Sequence, residues 1–359
     1  MNRLIAIGFV SFGLGLFGLM PAVAGAADRG ETSTNACSSR ITPGDYEREV
    51  PGWPNRNYLL HVPENYNCFR PAPVVMALHG GGSGKAQMRI ITCPSGRTND
   101  PGCLDALADR EGFIVVYPDG TENLLWRTFN ATNWGSGAGE WTESSGYACV
   151  SGFACAHNVD DVAYFNALLD TLETVVSVDT ARVYATGISN GASMAHRLAC
   201  EMSDRIAAIA PVAGGNQYSV FQRCAPVRPV PVVEFHGTED PAWGYGATYE
   251  DLDLNGQGLA ISVPRSVAGW RIRDGCLMAG TIEDLPDLDP GDGTTVTRVS
   301  YEGCRDEAEV VLYRINGGGH MWPDGYQWDN LFPGEYGPTT RDINGNEVMW
   351  EFFKAHPLR

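Results

Sequence analysis

A serine, an aspartate and a histidine, each just past a strand-like run, are the residues of this chain best placed to do chemistry. Ser189 lies in Gly187-Ile188-Ser189-Asn190-Gly191, a G-x-S-x-G pattern. The β-like run Arg182–Thr186 precedes it and the helix-like run Ala192–Glu201 follows it. A serine on a sharp strand-to-helix turn has its hydroxyl pushed out of the sheet. The helix N-terminus behind it favours developing negative charge. Small glycines on either side let the backbone turn tightly and the helix pack close. Read without its setting, the pentapeptide is an ordinary glycine-rich turn; its place between strand and helix predicts a nucleophile elbow.

A serine hydroxyl is a poor nucleophile until a base takes its proton, and the base needs an acid to orient it. On strand–helix sheets of this kind the partners follow in the order Ser, Asp or Glu, His, each beyond a later strand. The chain meets that order. Val232–Phe235 leads into His236-Gly237-Thr238-Glu239-Asp240, and Val310–Ile315 into Asn316-Gly317-Gly318-Gly319-His320. Asp240 is read as the acid, with Glu239 the adjacent alternative, and His320 as the base. His236 is read as a structural residue at a strand end. Stabilising an oxyanion takes two backbone N–H groups. Asn190, next to the serine, supplies one. Gly81 or Gly82, in His79-Gly80-Gly81-Gly82-Ser83-Gly84, supplies the other. A phosphate-binding loop is the rival reading of this segment, but Gly84-Lys85 is followed by Ala86, not Ser or Thr.

The elements that must position these residues alternate along the chain. Short apolar runs at Tyr58–Val62, Val74–Leu78, Phe113–Tyr117, Ala207–Val212, Pro231–His236 and Val310–Ile315 read as strands covered on both faces. Val162, Phe165, Leu168, Leu169, Leu172, Val175 and Val176 recur at helical spacing after Asp160 and Asp161, which read as cap and first-turn residues. Residues 346–355 read as a C-terminal helix. Such alternation predicts an α/β fold with a mostly parallel central sheet and helices on both faces. Two segments break the rhythm: residues 120–157, rich in Gly, Ser and aromatics, and residues 280–306, acidic and turn-rich. Long loops of this kind are often functional. The run Asp284, Asp287, Asp289, Asp292 does not match an EF-hand spacing and reads as an acidic surface turn. No metal and no cofactor is expected.

The chain has 359 residues, 43% hydrophobic and 19% charged, a globular composition. Its formal net charge of −18 would repel nucleic acid and anionic membrane surfaces, so neither is an expected partner. Met1-Asn2-Arg3, an apolar stretch Leu4–Met20 and the small residues Ala22–Ala26 read as a signal peptide over residues 1–26, not as a stable membrane anchor. Residues 27–44 read as a linker and 45–359 as one catalytic domain. The expected location is secreted or periplasmic. Ten cysteines in an exported chain suggest disulfides. Pairing by proximity in sequence gives Cys37–Cys68, Cys93–Cys103, Cys149–Cys155, Cys200–Cys224 and Cys276–Cys304.

Several segments together resemble carbohydrate esterase family 1 and the polyhydroxybutyrate depolymerase-like branch of the α/β-hydrolases, which includes feruloyl and acetylxylan esterases. They are residues 56–63, Leu78–Gly82, Val116–Gly120, Val159–Val162, Gly187–Gly191 with Met194, Ala207–Gly214, His236–Asp240 and Gly318–Pro323. They run in family order over nearly all of residues 45–356. The resemblance implies the α/β-hydrolase fold and a triad of Ser189, Asp240 and His320. It implies an ester substrate derived from a polysaccharide or a polyester: feruloyl or acetyl esters first, hydroxyalkanoate second. After the acid the family often has a Val-Pro-Tyr-like segment; here it is Pro241-Ala242-Trp243-Gly244-Tyr245. Trp134, Trp243 and Trp322 are candidate contacts for an aromatic acyl group or a sugar, with a core position the equal alternative for Trp322. The reading from a different class is a non-catalytic carbohydrate-binding protein on a hydrolase scaffold. Such proteins usually lose a triad residue, and none is lost here.

Overall fold

Six neighbouring strands run parallel through the centre of the molecule, and an antiparallel pair extends the sheet at each edge. The computed structural model describes residues 41–121, 159–216, 224–246, 262–327 and 335–359, together with residues 139–140, 148–149 and 154. In chain order the strands are β1 (Gly44–Glu49), β2 (Asn57–Val62), β3 (Ala72–Leu78), β4 (Ile114–Pro118), the two-residue β5 (Gly139–Glu140) and β6 (Ala148–Cys149), β7 (Val178–Ile188), β8 (Ala208–Val212), β9 (Val232–Gly237), β10 (Thr281–Asp284), β11 (Thr295–Tyr301) and β12 (Val310–Asn316). The helices are α1 (Lys85–Ile91), α2 (Leu104–Glu111), α3 (Asp161–Val175), α4 (Asn190–Glu201), α5 (Val263–Asp274) and α6 (Gly345–Ala355). The main sheet has the order β1-β2-β4-β3-β7-β8-β9-β12-β11-β10, while β5 and β6 pair with each other.

Every residue of β3, β4, β8 and β9 is buried, which explains why they are continuous apolar runs with no polar alternation. Each face of the sheet has its own core. Tyr164, Phe165 and Leu168 of α3, Met194 and Leu198 of α4, and Val267 and Trp270 of α5 cover one face. Met88 and Ile91 of α1, Leu104 and Leu107 of α2, and Met349, Trp350 and Phe353 of α6 cover the other. The side chain of Asp160 accepts the Ala163 N–H at 2.9 Å and caps α3, as its position predicts. Asp161 is more than a first-turn residue. It is fully buried and ion-paired with Arg56 at 2.5 Å, and the Arg56 guanidinium lies 3.6 Å from the Tyr164 ring centroid.

The sequence reading treats residues 280–306 as an acidic loop, but the chain forms the antiparallel pair β10–β11 there. Thr295–Tyr301 pairs along its length with β12 and extends the sheet beyond it, while all of β10 is exposed. The acidic Asp287–Asp292 stretch is the turn between these strands. Likewise β1 begins at Gly44, inside the segment read as a linker. Cys93–Cys103, Cys200–Cys224 and Cys276–Cys304 are disulfides, as sequence proximity predicts. The proposed Cys37–Cys68 and Cys149–Cys155 pairs each include a residue whose side chain lies outside those described. Residues 1–26, read as a signal peptide, also lie outside them.

Gly191 is the tightest joint between helix and sheet. A Cβ there would run into the backbone carbonyls of Leu78 and His79 at the end of β3. Backbone cannot swing aside as a side-chain tip can. Gly191→Ala is therefore expected to destabilise the fold by about 1–3 kcal/mol, read as a lowered midpoint in urea unfolding.

Candidate active site

A sharp turn at Ser189 joins β7 to α4, the strand-to-helix setting the sequence predicts. Ser189 follows β7 directly, precedes the first residue of α4, and has φ 58° and ψ −120°. A positive φ is strained for a residue with a Cβ. The turn is held by two backbone bonds: the Ser189 N–H donates to Val212 O at 2.9 Å, and the Ser193 N–H to Ser189 O at 3.1 Å. Ser189 is half-buried and Asn190 is buried at the N-terminus of the helix.

Sheet register gathers the other parts at the same edge. Ile188 pairs with Val212, Val212 with Phe235, and Phe235 with Tyr313, so β7, β8, β9 and β12 end side by side. Asp240 follows β9 and His320 follows β12. A Cβ on Gly237 would collide with the Gly318 and Gly319 carbonyls, so the two loops meet backbone to backbone. The Glu239 N–H donates to Gly318 O at 2.9 Å, and the Gly317 N–H to the Thr238 hydroxyl at 2.9 Å. His320 is held from its other side, its N–H donating to Tyr336 O at 2.6 Å.

Asp240 and His320 are both buried, and His320 Nδ1 lies 2.7 Å from Asp240 Oδ2. A carboxylate accepts, so Nδ1 carries the proton and Nε2 is left as the basic nitrogen. Asp240 Oδ1 accepts the N–H groups of Ala242 at 2.8 Å and Trp243 at 2.7 Å. Burial opposes the negative charge, but the positive field and hydrogen bonds of His320 and His236 outweigh it. The Asp240 carboxyl is held well below the usual carboxylate range. Glu239, the alternative acid, is exposed, and its N–H rather than its carboxylate ties it to the His320 loop.

The glycine loop lies against the elbow: a Cβ on Gly80 would sit 3.4 Å from Ser189 Cβ. Gly82 adopts a φ of +74° that its lack of a Cβ permits. His79 pins this loop, a role the sequence reading did not assign. Its Nδ1 donates to Gly80 O at 2.8 Å, and its Nε2 accepts the Gly120 N–H at 2.9 Å. Burial pushes the imidazole down to about 4, so it stays neutral and keeps both bonds. Asp119 holds the far end, accepting the Lys85 N–H at 2.8 Å and pairing with its ammonium at 2.5 Å. The Pro118-Asp119-Gly120 turn was the available signal.

The three tryptophans fare differently. Trp322 is fully buried, and its indole N–H donates to Asn346 Oδ1 at 3.0 Å. It packs in the core below the His320 loop, which removes it from the surface where a substrate would lie. Trp243 is also largely buried, at 8% exposure, and its backbone serves Asp240. Trp134 lies outside the described residues. Among those residues, Asp45, His61 and Asp105 come close enough together to share a cation. The Arg89 guanidinium, 2.5 Å from both Asp45 and Asp105, already supplies the positive charge there.

No family model matches the chain. Among curated proteins, feruloyl esterase D of Neurospora crassa is 26% identical over 305 residues, covering 83% of this chain and 81% of that protein. Feruloyl esterase B of Piromyces equi is 24% identical over 277 residues, and the chain spans only 44% of its length. The bifunctional acetylxylan esterase/xylanase XynS20E of Neocallimastix patriciarum is 27% identical over 204 residues, 57% of this chain and 24% of that protein. The chain is thus similar to feruloyl and acetylxylan esterases. The crystal structure of native pOPH matches 89% of this chain and 89% of its own, with a TM-score of 0.50 at 15% identity, a likeness of fold alone. The fold found here is the α/β-hydrolase fold.

The buried Asp240 carboxyl makes stability depend on pH. An aspartate ionises near 3.8 when unfolded and well below that in the folded chain. Its charge therefore adds stability above the unfolded value, and that contribution is lost as pH falls towards the folded value. The gap in unfolding midpoint between wild type and Asp240→Asn is expected to be widest above about pH 4 and to shrink below it, measured by denaturant titration at stepped pH.

Proposed function

We propose that the chain is a serine carboxylesterase that cleaves its ester through an acyl-enzyme. The observation that carries this reading is the 2.7 Å bond between Asp240 and His320, on loops that share a sheet edge with the strained Ser189 turn. Ser189 Oγ attacks the ester carbonyl. His320 Nε2 takes the hydroxyl proton and later returns it to the leaving alcohol. Asp240 fixes the tautomer and offsets the charge of the imidazolium. The N–H of Asn190 and that of Gly81 or Gly82 receive the oxyanion, and His79 keeps the glycine loop in place. Water, activated by the same histidine, then releases the acid.

For the substrate we infer feruloyl or acetyl esters of polysaccharide. Two named feruloyl esterases and an acetylxylan esterase align with the chain, the first of them over most of both lengths. Hydroxyalkanoate oligomers are the second class, because the chemistry at the carbonyl is the same. A secreted or periplasmic location fits the leader-like N-terminus and the disulfides among the described residues, which persist in oxidising compartments. No helix among the described residues is long and apolar enough to cross a membrane.

Ser189→Ala is expected to lower kcat for p-nitrophenyl acetate by about 10⁴-fold or more, with folding unchanged. Full turnover by this variant would refute the nucleophile. Methyl ferulate, acetylated xylan and hydroxybutyrate oligomers assayed in parallel should give the highest kcat/KM on one of the first two. A preference for the oligomers would replace the inferred substrate class.

A further inference from the structure

Asp240 Oδ2 faces a second imidazole besides that of His320. His236 Nε2 lies 3.2 Å from this oxygen and 2.8 Å from Trp243 O. Both neighbours are acceptors, and a bare nitrogen between two oxygens would be repelled by both. Nε2 therefore carries a proton and shares it between carboxylate and carbonyl. His236 is 1% exposed, and its Nδ1 has no hydrogen-bond partner among the described residues. The ring is held by its Nε2 side and by packing, with the Tyr245 ring edge-on at 6.2 Å. Its backbone is fixed within the parallel sheet, paired with Arg314 of β12. The donor is thus mounted on the sheet, whereas the carboxylate it meets sits on a loop.

The geometry of this loop depends on that donor. Residues 240–243 form a turn in which Oδ1 is occupied by the Ala242 and Trp243 N–H groups. Thr238 and Glu239 tie the start of the loop to the 315–318 segment, but the two Oδ1 bonds lie within the turn itself and do not anchor residues 240–243 to the sheet. His236 ties Oδ2 and the Trp243 carbonyl to one fixed ring, so the turn cannot move without breaking both contacts. We propose that His236 is a positioning residue for the reaction: its Nε2–H holds the Asp240 carboxylate in register with His320. The sequence reading treats it as structural only. This inference rests on the esterase reading above.

The test is a set of His236 variants, with acylation followed by single-turnover p-nitrophenyl acetate kinetics. His236→Phe keeps volume and removes the donor; it is expected to lower kcat about 10- to 100-fold with KM within about two-fold. His236→Gln can place an amide N–H near the Nε2 position and is expected to stay within about three-fold of wild type. If the Phe variant does not fold, His236→Asn, too short to reach Oδ2, takes its place with the same expected loss. In an Asp240→Asn background, removing the His236 donor should cost little more. Equal losses in the two backgrounds, or equal losses for the Gln and Phe variants, would overturn the proposal by showing a role not exerted through Asp240. Wild-type rates in the Phe variant, with Ser189→Ala inactive, would overturn the proposal and leave the esterase reading standing. Activity retained by Ser189→Ala would sink both.

Discussion

The arrangement depends on one buried charge. Asp240 is 5% exposed, and a carboxylate out of water is tolerated only when donors surround it. Here two backbone N–H groups occupy one oxygen and two imidazoles face the other. The loops must be built to bring those donors in. The 236–243 segment folds back on itself so that the carboxylate meets its own following N–H groups. The 317–320 segment packs against Gly237 so that His320 arrives from the neighbouring strand. An acid held ionised in this way can orient a base without competing for its proton.

The other face of the site is a matter of backbone strain and close approach. Ser189 accepts a positive φ because Val212 O, the start of α4 and the end of β3 confine it. The glycine loop beside it is secured by a neutral histidine. His79 bridges Gly80 O to the Gly120 N–H, and burial keeps the ring uncharged, so neither bond is lost to protonation. A second buried histidine is neutral too. His196 accepts the Trp270 indole N–H behind the elbow, and burial pushes it down to about 3. Glu234, on the same strand as His236, is fully buried and pushed well above the usual carboxylate range. These groups fill space between helices and sheet without adding charge near Asp240.

Much of this was legible in the sequence, for reasons that can be named. Parallel strands buried on both faces are short apolar runs, so β3, β4, β8, β9 and β12 were visible. Residues at their ends follow from strand order, which placed Ser189, Asp240 and His320. What stayed hidden depends on contacts distant in sequence. Trp322 beside a histidine reads equally as pocket wall or core, and its burial among residues distant in sequence, with its indole bonded to Asn346, decides for core. The β10–β11 pair is masked by an acidic turn, and Thr295–Tyr301 carries no period-two pattern to reveal it, its two valines falling on opposite faces. His236 looked structural because nothing in the local pattern says that the chain turns back to set Asp240 on its ring.

The central claim is that Ser189 is a nucleophile activated through His320 and Asp240. Fluorophosphonate labelling followed by peptide mass spectrometry tests it most directly, because the probe reacts only with an activated serine whatever the natural ester. The account requires a single adduct on Ser189 in the wild-type protein, and its loss in His320→Ala. No adduct, an adduct on another residue, or undiminished labelling of Ser189 without His320 would contradict it.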